Sequence, residues 1–292
     1  MGDLLQFSIT GLTIGSIYAI VGLGFVLIYS VTKVINMAQG EFVMLGGMIM
    51  YTGISAGLPY WVSFVFTIII VMILGWIIER FMISRAKGAD AISLIILTIG
   101  AAIFIRGISS MVWGKDQVRI APFTLNEPVG IGGAVITPQS IWVLVISLIV
   151  VIGLYYLIDK TILGKAFQAS SVNPLAARLM GISPRKMSSF SFTLSAALGA
   201  LAGLVIAPIM FPAYDMGVML GIKGFSAAIL GGLGSAPGAV LGGIIIGLLE
   251  SFGAGYISSG LKDAIAFTAI LAILLIRPSG IMGEKSVGKG GL

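Results

Sequence analysis

Acids, amides and hydroxyls set inside long apolar runs are the side chains of this sequence whose types and spacing could do chemistry. Glu41 stands with Asn36, Gln39 and Gly40 at the head of the apolar stretch Val34–Gly47. A carboxylate deep in hydrocarbon costs roughly 2.5–3.5 kcal/mol on insertion scales, so it is expected to line a pathway or mark a helix break; a turn from the edge it would snorkel instead. Asn36 and Gln39 are suited to bonding backbone groups freed at such a break. Thr98, in Leu97-Thr98-Ile99-Gly100, offers its hydroxyl to a ligand or to its own helix. Gly231-Gly232, after Leu230, repeats the Leu45-Gly46-Gly47 step and hints at a duplicated architecture. Arg106 and Glu250, a turn or two inside one edge, are expected to snorkel.

Other chemistry is excluded by what is missing. The chain has no His and no Cys, which removes imidazole and thiolate metal sites, Ser–His or Cys–His nucleophiles and a histidine proton relay. Gly22-Leu-Gly24 lies inside an apolar run with Leu27 where a third glycine would stand. None of the Gly-Lys steps at 114–115, 164–165 and 288–289 continues into Ser or Thr, so no phosphate-binding loop is written here. The net charge of +6 reflects loop orientation in a chain this apolar, not a nucleic-acid partner.

These residues have to be held by helices. Hydrophobic residues make up 58% and charged residues 10%, and mean hydropathy is +1.12, which specifies an integral membrane protein. Met1–Gln6 has no basic residue, so the first apolar segment does not open as a signal peptide and is expected to be retained. The pattern predicts an all-α, polytopic chain of about eight transmembrane helices. The expected spans are Phe7–Ser30, Gln39–Gly57, Tyr60–Ile83, Ala91–Val112, Pro138–Ile158, Ser188–Phe211, a broken or re-entrant stretch Ile222–Tyr256, and Leu261–Ile276. Broken helices at membrane depth survive only where protein or a wet cavity surrounds them, and in transporters they mark the substrate path. One orientation gathers Lys33, Arg80, Arg85, Lys87, Lys160, Lys165, Arg178, Arg185, Lys186, Arg277, Lys285 and Lys289 on one side, twelve of the seventeen basic residues. That places the N-terminus outside and the C-terminus in the cytoplasm. Trp61, Trp113 and Trp142 then fall at the outer boundary and Tyr155 and Tyr156 at the inner one. The outer loop 113–137 has room for a small hairpin or re-entrant turn, and the tail 284–292 reads as a flexible end.

The polar stretch 159–187 interrupts this pattern. Asn173-Pro174 caps and opens a helix that runs to Met180 and stops at Gly181, with Leu175 and Leu179 on one face. Two turns do not hold in water alone, so this helix must dock, either on its own protein or on a cytoplasmic partner. Gly11-xxx-Gly15, Gly199-xxx-Gly203 and Gly243-xxx-Gly247 allow helices to approach closely and speak for packing.

Three stretches carry a family resemblance: Gly15-Ser-Ile-Tyr-Ala-Ile-Val-Gly-Leu-Gly24 through Asn36-Met-Ala-Gln-Gly40-Glu41; Gly164-Lys-Ala166 through Asn173, Ala176 and Gly181-Ile182; and Gly224-Phe-Ser-Ala-Ala-Ile-Leu-Gly-Gly232 through Gly234-Ser-Ala-Pro-Gly238. Over essentially its whole length the chain resembles the shorter, H-type permease subunit of ABC importers for leucine, isoleucine and valine. It departs from the family pattern at Gln39, where His is common, and near Ala169–Ser170, where an Arg is common. The resemblance implies a single transmembrane permease domain, 1–292, that is not an enzyme. It implies a multi-pass protein of the bacterial inner membrane, translocating branched-chain amino acids by alternating access. A substrate pathway would pass Asn36, Gln39, Gly40, Glu41, Thr98, Gly231 and Gly232. Residues 164–182 would dock as a coupling helix, through Gly164, Lys165, Asn173, Ala176, Arg178 and Gly181, on cytoplasmic ATPase subunits that hold ATP-Mg; this chain itself would bind no cofactor and no metal. A second homologous permease, forming a heterodimer, and an external substrate-binding protein complete the expected partners, with the lipid bilayer. The same machinery for urea, short amides or another amino acid is the alternative cargo, and an ion-coupled carrier built on Glu41 and Glu250 the alternative mechanism.

Overall fold

Apolar runs of this length can satisfy their backbone in a bilayer only as helices, and the computed structural model, which describes residues 2–86, 89–124 and 127–283, is built almost wholly of them. In chain order they are α1 (Gly2–Thr32), α2 (Gln39–Ser55), α3 (Tyr60–Ile78, continued by a π-helical turn Glu79–Ile83), α4 (Ala91–Trp113), α5 (Pro138–Lys160), α6 (Ile162–Val172), α7 (Pro174–Leu179), α8 (Pro184–Met210), α9 (Met216–Gly231), α10 (Ala236–Tyr256) and α11 (Lys262–Ile276). Between α4 and α5 the strands β1 (Val129–Ile131) and β2 (Ala134–Ile136) pair as an antiparallel hairpin, within the loop for which a hairpin or re-entrant turn was the expectation. The eight apolar segments expected from the sequence are all helical. Among the described residues, seven helices are long and apolar enough to cross a membrane, α11 being counted with the helical turn Ser259–Leu261 before it, while α2, with 17 residues, and α9, with 16, are shorter. The expected flexible tail, 284–292, and Lys87 lie outside the described residues.

The bundle has two distinct ends. At one, the first turn of α1 sits on the hairpin, whose Val135 N–H donates to Gln6 Oε1 at 2.7 Å. At the other, α6 and α7 form a knob beside the end of α1. Tyr60, Trp61, Phe64, Phe123 and Trp142 cluster at the hairpin end, the amphipathic belt expected at a membrane–water boundary. At the knob end Asp90 caps α4: its carboxylate accepts from the Ser93 hydroxyl and N–H, and these bonds hold its pKa below the usual aspartate range.

Burial sorts the helices. α1 and α8 are enclosed on nearly every side, and α1 is apolar all round, as a central helix must be. α3, α4, α5 and α11 leave most of their apolar residues partly or fully exposed, where lipid is their solvent. The inner helices meet through small residues. Gly11 and Gly15 of α1 lie backbone to backbone against Gly247 and Gly243 of α10, and Gly199 and Gly203 of α8 lie against Phe42 and Val43 of α2. Lipid tails are as apolar as leucine, so such pairs gain their attraction from close van der Waals approach, which a side chain would prevent.

Two helices start inside the bundle. After Thr32 the chain turns back through a non-helical segment and enters α2 at Gln39, from where α2 runs toward the hairpin end, its Thr52 accepting a bond from Trp113 Nε1. α9 begins after the break at Pro212–Asp215 and runs the opposite way, to the knob end, where Leu230 and Gly231 accept N–H bonds from Ile281 and Met282. Their first turns meet: Gly40 packs directly on the backbone of Gly217 and Gly221. The broken stretch is therefore longer than expected, because α9 starts at Met216 and not at Ile222. The polar stretch 159–187 also contains one more helix than expected. α6 is capped by Thr161 and packs Gly164, Phe167 and Ser170 inward at a three-residue spacing, which so short and polar a segment does not advertise.

Close approach gives a direct test. A Cβ added at Gly203 would overlap the Val43 carbonyl, whereas one at Gly107 meets nothing within 4 Å. Gly203→Ala should destabilise the folded protein by about 1–3 kcal/mol, and Gly107→Ala should be neutral or stabilising by up to about 1 kcal/mol. Thermal unfolding in detergent, followed by intrinsic tryptophan emission, distinguishes the two.

Candidate functional site

The non-helical link between α1 and α2 needs partners for its backbone, and Asn36 and Thr98 supply them. Asn36 Oδ1 accepts from Ala38 N–H at 3.2 Å, and Thr98 Oγ1 accepts from Met37 N–H at 3.1 Å while donating to Ile95 in its own helix at 2.8 Å. Gln39 ties α2 to α8 and α1. Its Nε2 donates to the Ser195 carbonyl at 3.1 Å, and the Ser195 hydroxyl lies within 2.6 Å of Gln39 Oε1 and 2.8 Å of the Gly24 carbonyl. Asn36, Thr98, Gln39 and Ser195 are all fully buried. The helix heads themselves are bare: neither Ala38 before α2 nor Asp215 before α9 gives a side-chain cap. The first turns bond in part to the preceding backbone, Gln39 and Glu41 N–H to Asn36 and Ala38, and Met216 and Val218 N–H to Ala213 and Asp215, and the positive ends of the two helix dipoles meet where Gly40 packs on Gly217.

Glu41 occupies that junction. It is 2% exposed, enclosed by protein on every side, and both Nη2 and Nε of Arg106 reach its Oε1, at 2.5 and 3.2 Å. Arg106 therefore does not snorkel as expected. It turns inward because α4 sets it opposite a buried acid, and a charge held in hydrocarbon gains more from its counter-ion than from stretching to the headgroups. The other Glu41 oxygen, Oε2, is buried without a hydrogen-bond partner among the described residues, and so is Asn36 Nδ2. One spare acceptor and one spare donor at a helix junction give this place unmet bonding capacity. The structure brings Asn36, Gln39, Gly40, Glu41 and Thr98 together. Gly231 and Gly232 lie elsewhere, at the knob end, packed on Gly238 and on Gly280 and Gly283. Their chain neighbours Ile229 and Leu233 line an open cavity of about 850 Å³, together with Tyr29, Lys33, Ser171 and Ser279 among others.

A second set of charges is buried between α1, α9, α10 and α11. Lys223 Nζ lies 2.7 Å from Glu250 Oε1 and 2.7 Å from Asp263 Oδ1, and the Tyr18 hydroxyl donates to Glu250 Oε2 at 2.7 Å. Lys223 is 6% and Glu250 4% exposed. Snorkelling, the expectation for Glu250, is replaced by pairing, since α1 and α9 seal it from the membrane edge. Tyr18, Lys223 and Asp263 were not singled out in the sequence, nor was Glu79, which is buried and accepts from the Ser189 hydroxyl. The available signal was Lys223 itself, a cation in the apolar run Ile222–Leu233 that requires an acid within the bundle.

The knob is built by local rules. Asn173 Oδ1 accepts from the N–H groups of Leu175 and Ala176, each at 3.0 Å, and Pro174 opens α7. Gly181, with φ +79°, closes it: its N–H bonds to Arg178 and that of Ile182 to Ala177, the paired bonds of a left-handed helix stop. Gly164 is buried where α5 turns into α6, against the carbonyls of Leu157 and Ile158. Lys165, Ala176 and Arg178 are exposed. Ala177 roots the helix inward, but Ile162, Val172, Leu175, Leu179 and Met180 are each between 71% and 89% exposed. Unlike the outer faces of the spans, this apolar surface surrounds a polar loop, and a cleft of about 600 Å³ runs between α6 and α7. Among the described residues, no three His, Cys, Asp or Glu side chains converge as metal ligands.

Comparison with known proteins places this architecture. The chain is 33% identical to the high-affinity branched-chain amino acid transport system permease protein BraD of Pseudomonas aeruginosa, covering 98% of this chain and 97% of the relative. It is 31% identical to the corresponding LivH protein of Escherichia coli K12, again over 98% and 97%. A probable branched-chain amino acid transport permease of Methanocaldococcus jannaschii is 31% identical over 92% of this chain and 89% of that one. Among solved structures, PsaBC from Streptococcus pneumoniae shares the fold with a TM-score of 0.52 at 14% identity, over 96% of this chain and 93% of that one. The family described as branched-chain amino acid transport system / permease component matches residues 7–276, and this chain, a multi-pass membrane protein, belongs to it.

Proposed function

We propose that this chain is the membrane-spanning permease subunit of an ATP-driven importer for branched-chain amino acids, working by alternating access. In this reading the knob end faces the cytoplasm of a bacterial cell, in its inner membrane. The knob is seated on ATPase subunits that hold ATP-Mg, while the hairpin end faces outward, toward a substrate-binding protein. A second homologous permease, in a heterodimer, completes the pathway, and this chain contributes no catalytic group, metal or cofactor.

One observation carries the reading: the α6–α7 knob presents five large apolar side chains to the outside of the bundle while its backbone is fully capped and rooted. Such a surface gains nothing from water and demands a protein partner. The Asn173 cap and the Gly181 stop make it rigid, so a push on α7 reaches α5 and α8 instead of being absorbed in a loop.

The junction of α2 and α9 supplies the complementary feature. Two helix heads pointing at one place favour negative charge there, and Glu41 Oε2 favours positive charge. A zwitterionic α-amino acid carries both. The unpaired Glu41 and Asn36 atoms are costly in a static protein; they are natural in one whose other packing opens the junction to water and cargo. Two packings that differ by a few kcal/mol suffice, because docking on either side can bias them.

Ala176→Glu, on an exposed helical position that leaves the fold intact, should lower ATP-driven uptake in proteoliposomes of the assembled complex by at least about tenfold. Membrane insertion should be unchanged; normal ATP-driven uptake by that variant would refute the knob's coupling role. For Glu41→Gln the expected result is retained assembly with uptake reduced by about tenfold or more, measured as initial rate against substrate concentration. Unchanged kinetics would reduce Glu41 to scaffolding. The same proteoliposomes test the ion-coupled alternative, since uptake by this chain alone on an ion gradient, without nucleotide, would overturn the proposal.

A further inference from the structure

The charge cluster between α1, α9, α10 and α11 has a construction that a purely structural cluster does not need. Lys223 and Glu250 each have a spare partner. Should Lys223 leave Glu250, that carboxylate keeps the Tyr18 hydroxyl at 2.7 Å and Lys262 Nζ at 3.6 Å. Asp263 is the less enclosed of the two acids, with 35% of its side chain exposed, although its Oδ1, the oxygen facing Lys223, is itself buried. Lys223 itself retains one carboxylate in either case. Breaking a buried ion pair ordinarily strands a charge and costs about 3–5 kcal/mol; here release of Lys223 from Glu250 strands neither charge, because Glu250 keeps Tyr18 and Lys262 and Lys223 keeps Asp263.

The helix that bears Lys223 is also the one best placed to move. α9 spans only part of the bundle and is bounded by the Pro212–Asp215 break and by Gly232, with φ +105°. Its contact with the head of α2 is made by the small residues Gly40, Gly217 and Gly221, a smooth backbone contact, while Phe225 holds it to Phe25 of α1. On its opposite side the hold on α11 includes the Lys223–Asp263 pair. One half-helix therefore joins the Glu41 junction to the α10–α11 pair, with a two-partner cation as the fastening.

We propose that Lys223 is a two-position latch, a positioning residue that exchanges between Glu250 and Asp263 as α9 shifts against α11 during transport. The proposal rests on the permease reading above. It accounts for a lysine in the middle of a membrane-buried half-helix where leucine would pack at lower cost, and for two carboxylates of unequal burial around it.

The assembled complex in proteoliposomes tests it with Asp263→Asn, which removes one position at a half-exposed side chain. Assembly and basal ATP hydrolysis should persist while substrate uptake falls about tenfold. A second readout is independent of uptake. The chain has no cysteine, so Met219→Cys on α9 and Leu261→Cys just before α11, both at exposed positions, accept spin labels in a complex with cysteine-free partner subunits. The label–label distance distribution should differ between the nucleotide-free and ATP-bound wild-type complexes and stay in one population in the Asp263→Asn variant. The neutral triple variant Lys223→Met, Glu250→Gln, Asp263→Asn separates a latch from a scaffold, because a scaffold tolerates joint removal of its charges. Full uptake by Asp263→Asn or by the triple variant, or one unchanging wild-type distance distribution, would overturn the latch alone. A wild-type complex without ATP-driven uptake would overturn the permease reading and the latch with it.

Discussion

A chain that stops being helical inside hydrocarbon must find partners for each N–H and C=O it frees, and most of this fold follows from meeting that demand at two breaks. Between α1 and α2 the partners are Asn36 and Thr98. Between α8 and α9 the Pro212 carbonyl accepts from Val118 N–H, and Met216 N–H donates back to Ala213. Neither break would survive on a lipid-facing helix. This is why α1 and α8 are buried on nearly all sides, and why α3, α4, α5 and α11 stand outside them as a lipid-facing ring.

Glycine makes the enclosure possible. In water a protein gathers its helices by burying leucine, but in a bilayer leucine is already solvated. The inner crossings of α1 with α10, of α2 with α8 and of α2 with α9 are accordingly lined with glycine, so that backbones touch and dispersion does the holding. The same contacts are smooth. A bundle closed by backbone contact changes its packing with less side-chain rearrangement than one closed by knobs in holes, which suits a protein proposed to alternate between two states.

Charge is distributed on the same logic. Glu41 with Arg106, and Lys223 with Glu250 and Asp263, sit on either side of α9. An isolated charge in either place would be expelled or neutralised; paired ones fix which helices face one another. The knob inverts the arrangement. It has basic and polar residues around an exposed apolar surface, and it gains stability only from contact with another protein.

The sequence by itself determined the helical class, the position of nearly every span, the Asn173–Gly181 helix and the small-residue faces. Each of these is local: hydropathy over twenty residues, a cap beside a proline, a glycine every fourth position. It also brought Asn36, Gln39, Gly40, Glu41 and Thr98 forward, four of them because they are neighbours in the chain. Only the tertiary structure decided what these groups touch. Arg106 is separated from Glu41 by 65 residues and Tyr18 from Glu250 by 232, so a reading of one helix at a time sends each charge to the nearest membrane edge. It likewise joins Gly231 and Gly232 to Glu41 by likeness of pattern, although they pack at the other end of α9. The partner of a buried charge is set by which helices the fold encloses together, and that is a property of the whole bundle.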